Sequence, residues 1–237
     1  MNKSLYNSAS AIFALNRNME IKSHNISNID TVGYKYNNYH NGVFEDIMLS
    51  HNNKQLGELP TRVGITKIST VFSQGAFMNT ERNLDIAIAG DAYIKVDKGN
   101  GIPTYTRNGN LKIDRDGFLV DYAGNYILGE KGHIQVGNPN EISFSKDGTI
   151  FSDGTRVDKL IVTALDNPSK LTPNYFTADK EVNSDNYSIN QGYLEASNVD
   201  LSKELVDVIS IQRLLSTNSK MLQTEDELNK RIIDGIK

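Results

Sequence analysis

Side chains able to move a proton, bind a metal or attack a carbonyl are few and scattered in this sequence. His24, His40, His51 and His133 could act as general bases or zinc ligands. None has a second metal-ligating residue at i+4, and no His-Glu-x-x-His occurs. A lone histidine is ordinarily a surface or core residue. Asp114-Arg115-Asp116-Gly117 opens like a calcium loop. It lacks the third ligand in register and the distal Glu, so it reads as a hairpin turn. "GNGIPTYTRNGN" (99–110) has no Walker lysine, and no Gly-x-Ser-x-Gly occurs. Asp85, Asp97 and Asp114 are the candidate paired acids, but carboxylates near strand ends are ordinarily just solvated. Asn25-Ile26-Ser27 and Asn186-Tyr187-Ser188 match the glycosylation triplet and carry little weight without a secretory signal. The absence of Cys excludes disulfides, thiolate nucleophiles and thiolate metal sites. The expectation is no catalytic residue, no cofactor-binding residue and no metal ligand, hence no enzyme and no cofactor.

Charge and hydropathy exclude other classes. With 25 basic and 29 acidic residues the net charge is −4, which argues against nucleic acid as a partner. No apolar run is long enough for a membrane span. "MNKSLYNSASAIFALNRNMEIKSHN" lacks the long apolar stretch of a secretory signal. The chain is therefore expected to stay inside the cell or to leave by a route that needs no cleaved signal.

The elements are announced by punctuation. All five prolines lie between Pro60 and Pro173, and only Gly235 of 18 glycines falls outside Gly33–Gly192. The breaker-free stretches 1–32 and 193–234 predict two long terminal helices around a turn-rich middle. In the first, Leu5, Ala9, Ile12, Met19 and Ile26 form a stripe, broken by Asn16 and Ser23. Its many Asn and Ser residues give poor helix propensity, so it must draw stability from packing partners. In the second, Leu201, Leu205, Val208, Leu215 and Leu222 form one stripe. Ile211, Leu214, Met221, Leu228 and Ile232 form another beside it, which implies more than one neighbour. Ser197, Asn198 or Asp200 could cap its start.

The middle reads as β. "VGITKIST", "LDIAIAG", "AYIKV" and "VDKLIVTAL" are rich in branched residues and partly alternate. Asn108-Gly109, Asp116-Gly117, Asp147-Gly148 and Asp153-Gly154 are tight-turn signals, and the last two enclose one very short strand. Residues 36–59 are polar and mixed, with a short ordered patch at "VFEDIML".

Four segments together resemble one family. "HNISNIDTVGYK" (24–35) resembles the end of the N-terminal helix in bacterial flagellar rod and hook proteins. Asn25, Asn28, Thr31, Gly33, Tyr34 and Lys35 match its pattern. "SQGAFMNTERNLDIAIAGDAYIKV" (73–96) resembles the entry to that family's β domain, although "GDAY" at 90–93 departs from the usual Gly-x-Gly-Phe. "YTRNGNLKIDRDGFLV" (105–120) and "GYLEASNVDLSKELVDVISIQRLLSTNSKMLQTEDELN" (192–229) resemble its next hairpin region and its C-terminal helix. The order is the family's, and the chain is most similar to the basal-body rod proteins of the FlgF and FlgG type.

The resemblance implies an α+β, mainly β fold. A compact multi-stranded β domain would be flanked by long N- and C-terminal helices that pair and pack in coiled-coil fashion on assembly. The expected divisions are an assembly helix and hinge (1–35), a connector with short ordered elements (36–72), a β domain (73–191) and a C-terminal assembly helix (192–237). The implied function is a structural subunit of the flagellar basal-body rod, polymerising into a helical tube that transmits torque from motor to hook. Its partners would be itself, other rod and hook subunits and the flagellar export apparatus. It would sit in the basal body outside the cytoplasmic membrane, in the periplasm or cell wall, exported without a cleaved signal. Asn25, Asn28, Thr31, Gly33 and Tyr34 would form a subunit-contact hinge. Leu5, Ile12, Met19, Leu201, Leu205, Val208, Leu215 and Leu222 would pack the helices. The alternatives are a soluble β-domain protein that binds or hydrolyses cell-wall glycan, and a non-flagellar secreted coiled-coil adhesin.

Overall fold

A computed structural model describes residues 3–44, 47–51, 54–59, 62–137, 139, 141–182 and 186–235. The fold is α+β and mainly β, with one long helix at each end of the chain. It divides into two compact units. One comprises residues 1–27, 37–71 and 200–237, and the other residues 28–36 and 72–199. The chain thus crosses from one unit to the other four times, and two of the crossings bracket the motif segment 28–36.

The first unit contains α1 (Lys3–Ser27), β1 (Asn37–Phe44), β2 (Ile47–His51), β3 (Lys54–Leu59), β4 (Arg62–Thr70) and α2 (Leu201–Gly235). Asp200 caps α2: its Oδ1 accepts the Lys203 N–H at 3.2 Å, and its carbonyl accepts the first helical bond from Glu204. The C-terminal end of α1 meets the N-terminal end of α2, as in an antiparallel pair, and α1 also lies against β1 and β4. Strand β1 pairs antiparallel with β4, from Asn37 opposite Thr70 to Phe44 opposite Arg62, and β2 pairs with β3. The sequence suggested a connector with short ordered elements here. Strand pairing forms in it from a segment rich in Asn and His, whose period-2 pattern is weak. A two-stranded ribbon is marginal alone, so the contacts with α1 matter to its stability. Within the "VFEDIML" patch, Glu45 and Asp46 lie outside the described residues.

The second unit is β throughout. β5 (Phe77–Asn79), β6 (Ile86–Gly90), β7 (Ala92–Asp97) and β8 (Thr104–Thr106) lead into it. A ten-stranded antiparallel sheet is centred on β7, which pairs with β8, with Tyr126–Gly129 and with Val162–Asp166. The strand Tyr187–Gln191 pairs with β6, and the strand Tyr193–Glu195 pairs with β5. The core is built from Ile86, Ile88, Ile94, Val96, Leu111, Leu119, Ile127, Ile134, Ile150 and Leu160 with their neighbours. The Asp153-Gly154 turn has φ of 47° and 76°, the mirror-image turn that suits a two-residue hairpin, and it joins Thr149–Ser152 to Thr155–Lys159. Asn108-Gly109 differs from expectation. It makes no hairpin, because Gly109 is pressed against the Ile86 carbonyl, where a Cβ would sit 1.7 Å from the oxygen.

Candidate functional site

In the first unit the last turns of α1 carry a buried polar cluster. Asn25 is fully buried. Its amide nitrogen donates to the Asn37 carbonyl at 2.8 Å, and its amide oxygen accepts the Asn37 N–H at 3.0 Å. One side-chain amide thus satisfies both backbone groups of the first β1 residue, as a neighbouring strand would. The same nitrogen lies 3.2 Å from Glu204 Oε2. Lys22 Nζ lies 3.0 Å from Glu204 and 2.7 Å from Asp207. Burial alone would pull the Lys22 ammonium down. The hydrogen bonds to Asp207 and Glu204 outweigh it and hold the group above the usual lysine value.

In the second unit Glu195 is the centre of the motif segment. Asn28 opens it: its carbonyl accepts the Thr31 N–H, and its side-chain oxygen accepts the Thr31 hydroxyl at 3.2 Å. Gly33 follows at φ 69°, and its N–H donates to the Glu195 carbonyl at 2.8 Å. A Cβ there would meet the Arg107 and Asn108 backbone at 2.8–2.9 Å, so both conformation and space demand glycine. Lys35 Nζ contacts Glu195 Oε1 at 2.6 Å and the Ser73 carbonyl at 2.8 Å. Glu195 Oε1 also accepts the Gly75 N–H, and Oε2 accepts Arg107 Nη1 at 2.9 Å. Burial pulls the Lys35 ammonium below its usual value despite the attraction of Glu195. Two cations therefore share one buried carboxylate. The guanidinium of Arg107 also lies 4.9 Å from the centroid of the Tyr93 ring, which stands where the family pattern has Phe.

Tyr34 is fully buried, with Lys170 Nζ 3.6 Å above its ring. Lys170 donates to the Lys35 carbonyl at 2.6 Å, and burial pushes its ammonium down to about 8. Asn198 accepts the Tyr36 N–H at 2.8 Å and donates to the Ser73 carbonyl. Asn25, Gly33 and Tyr34 are thus buried in contacts within their own units.

The helix residues divide differently from the stripes read in the sequence. Among the described side chains of α1 the buried positions are Ser8, Ala14, Asn18, Ile21, Lys22 and Asn25. Ile12 and Met19 are half-buried, and Phe13 is 76% exposed. Leu5 lies in α1, but its side chain is outside the described ones. The most buried face is turned by about one residue from the expected stripe, because Lys22 and Asn25 are drawn in by Glu204, Asp207 and Asn37. On α2 the covered face is Glu204, Val208, Ile211, Leu215, Asn218 and Leu222, a heptad seam. Of the α2 residues singled out in the sequence, Val208, Leu215 and Leu222 lie on it, and Leu201 and Leu205 do not. Leu201, Leu205 and Ile209 are exposed at four-residue spacing, and Leu214, Met221 and Leu228 are exposed at seven-residue spacing. At about 100° per residue the two exposed sets fall on opposite sides of the seam.

Three family models match in chain order. One described as a flagella basal body rod protein covers residues 5–35, the flagellar hook protein FlgE/F/G D1 domain covers 87–152, and the flagellar basal body rod FlgEFG protein C-terminal model covers 190–234. The flagellar basal-body rod protein FlgF of Caulobacter vibrioides is 30% identical over 100% of this chain and 98% of its own length. The chain belongs to the flagellar basal-body rod protein family. The rod protein FlgG of Bacillus subtilis is 28% identical over 99% of both chains, and FlgG of Borreliella burgdorferi is 28% identical over 96% of both. The matched N- and C-terminal segments of this rod-family chain are those that hold Lys35 and Glu195.

Glu195, Arg107, Lys170, Lys22 and Glu204 escaped the sequence reading. Lys35 was visible as a motif position, but its partner lies 160 residues away, and no local pattern links the two. The one available signal was an acidic residue just before a capped helix in an otherwise apolar strand, Tyr193–Glu195. Among the described residues no group of three or more His, Asp or Glu side chains is placed to hold a metal ion.

Proposed function

We propose that this chain is a structural subunit of the bacterial flagellar basal-body rod and adds to a helical polymer through its terminal helices. The observation that carries the reading is α2. One face is covered by α1, while two further apolar sets, Leu201/Leu205/Ile209 and Leu214/Met221/Leu228, stay open to solvent. A helix with apolar residues on three sides is suited to several helical neighbours, and a lone helix pair supplies only one. Repeated copies of the chain would supply the others in a head-to-tail contact that does not close, which generates a filament. Coiled-coil packing of the helices thus belongs to the assembled state. The names of the relatives and the order of the three family segments support this role, and among the described residues no helix is long and apolar enough to cross a membrane.

In this reading Asn25, Asn28, Thr31, Gly33 and Tyr34 act within the subunit. They end α1, turn the chain and seat it against Glu195, and subunit contacts fall to the helix flanks. The chain would travel through the flagellar export apparatus, without a cleaved signal, to the basal body outside the cytoplasmic membrane. The two helices, Lys3–Ser27 and Leu201–Gly235, then serve assembly, and residues 28–36 with 72–199 form the β body. Basal bodies isolated from cells producing the tagged chain test the proposal. The chain is expected in the rod fraction in stoichiometric amount, and its absence from intact basal bodies would overturn the reading.

A further inference from the structure

The sequence contains three Asn-Gly pairs, at Asn41-Gly42, Asn100-Gly101 and Asn108-Gly109. This dipeptide is the one most open to attack by its own backbone, because glycine adds no side chain over the following nitrogen. The fold treats the three differently. Asn41 and Gly42 are held in a strand ladder, opposite Ile65 and Gly64. Asn108 accepts the Asn110 N–H on Oδ1 at 3.0 Å, and its glycine is buried against the Ile86 carbonyl and bonded to the Ile86 N–H. Asn100 makes the same local turn, with Oδ1 accepting the Ile102 N–H at 3.1 Å. It lies, however, in the exposed loop between β7 and β8. Gly99 and Gly101 have φ of 71° and 70°, with open space around both, and Ile102 is 52% exposed.

We propose that Asn100-Gly101 is a site of spontaneous deamidation and isoaspartate formation, and that the fold protects Asn108-Gly109. Water or hydroxide takes the Gly101 amide proton, and that nitrogen's electron pair forms a bond to Asn100 Cγ. The negative charge goes to Oδ1, where the Ile102 N–H already donates as an oxyanion-type partner. The C–N bond of the side-chain amide then breaks, and ammonia leaves with a proton from water. Water opens the resulting five-membered imide at either carbonyl, giving aspartate or isoaspartate. The sum is asparagine plus water to acid plus ammonia, with no oxidant or reductant. Ring closure needs the backbone of the glycine to swing toward the side chain. The open loop permits that, while the contact of Gly109 with Ile86 forbids it unless the core opens locally. The product adds one negative charge to a hairpin tip that carries Lys98 and Asp97.

Peptide mapping of the intact folded chain, after incubation in mildly alkaline buffer, tests this. Conversion at Asn100 is expected to exceed that at Asn108 by at least about tenfold, a difference that needs only a small change in barrier. Isoaspartate should be prominent in the product. In concentrated urea the two rates should converge, because the sequence chemistry is then shared. Equal rates in the folded chain, no conversion at Asn100, or aspartate without isoaspartate would overturn the proposal, as would a ratio that persists in urea.

Discussion

Glu195 holds the motif segment through groups that arrive from three places in the chain. Its two carboxylate oxygens take Lys35, the Gly75 N–H and Arg107, and its carbonyl takes Gly33. Glu195→Gln keeps the shape but removes the charge that compensates two buried cations. Breaking a buried pair in this way typically costs about 3–5 kcal/mol, and urea unfolding of the purified chain is expected to show a loss in that range. Lys170 gives a second prediction. Its ammonium sits at about 8 when folded, against an ordinary value of 10.5. Between these values the unfolded chain binds more protons than the folded one, so stability should rise with pH from 8 toward 10. Below pH 8 the buried charge remains a cost. Lys35 and Lys98 shift in the same direction, so Lys170→Met is expected to reduce the rise without abolishing it. Tyr93, raised to about 12 by burial, makes stability fall with pH from its ordinary value of 10 up to about 12, above the window. Thermal melts across pH 8–10 compare the two chains. At this scale the sequence was half legible. Gly33 and Lys35 stood out by type and spacing, but their partners are set by tertiary contact at long range, which no local pattern encodes.

The two helices were legible as elements because breakers are missing from both ends of the chain, and that absence survives any error in phase. The phase itself was harder. Apolar residues suggested the Leu5/Ile12/Met19 stripe, yet among the described side chains the face most deeply buried is largely polar: Ser8, Asn18, Lys22 and Asn25, with Ala14 and Ile21 beside them. The paired charge of Lys22 and the bonded amide of Asn25 fix register there, at a cost in stability relative to an apolar seam. The helix pair is therefore specific without being strong, and its exposed apolar flanks are not needed for it. Leu205→Asp and Leu214→Asp, both at exposed positions, should change the unfolding free energy of the isolated chain by no more than about 0.5 kcal/mol. Both should prevent incorporation into basal bodies. Ile211→Asp places a charge in the covered seam and should cost several-fold more. A large loss of stability in Leu205→Asp would show that this flank already packs within the monomer. Strands β1–β4 were the least legible elements. Asn37, Asn38, His40 and Asn41 have poor strand propensity, and the pairing there is supported by Asn25 and α1, which lie elsewhere in the sequence.

For the whole molecule, the α+β class and the separation of terminal helices from a β-rich middle followed from Gly and Pro placement and from branched residues. The family followed from four segments in order. What the sequence could not supply was the path of the chain through its two units, since segment 28–36 follows α1 directly yet belongs with the β unit. The central claim is that the terminal helices acquire their remaining neighbours on assembly while the β unit is complete beforehand. Hydrogen exchange on the purified chain and on isolated basal bodies containing it tests this most directly. Amides of 3–27 and 201–235 should exchange faster than those of 72–199 in the free chain and become strongly protected in the rod, with 72–199 protected alike in both. Strong protection of both helices in the free chain, unchanged in the rod, would contradict the account.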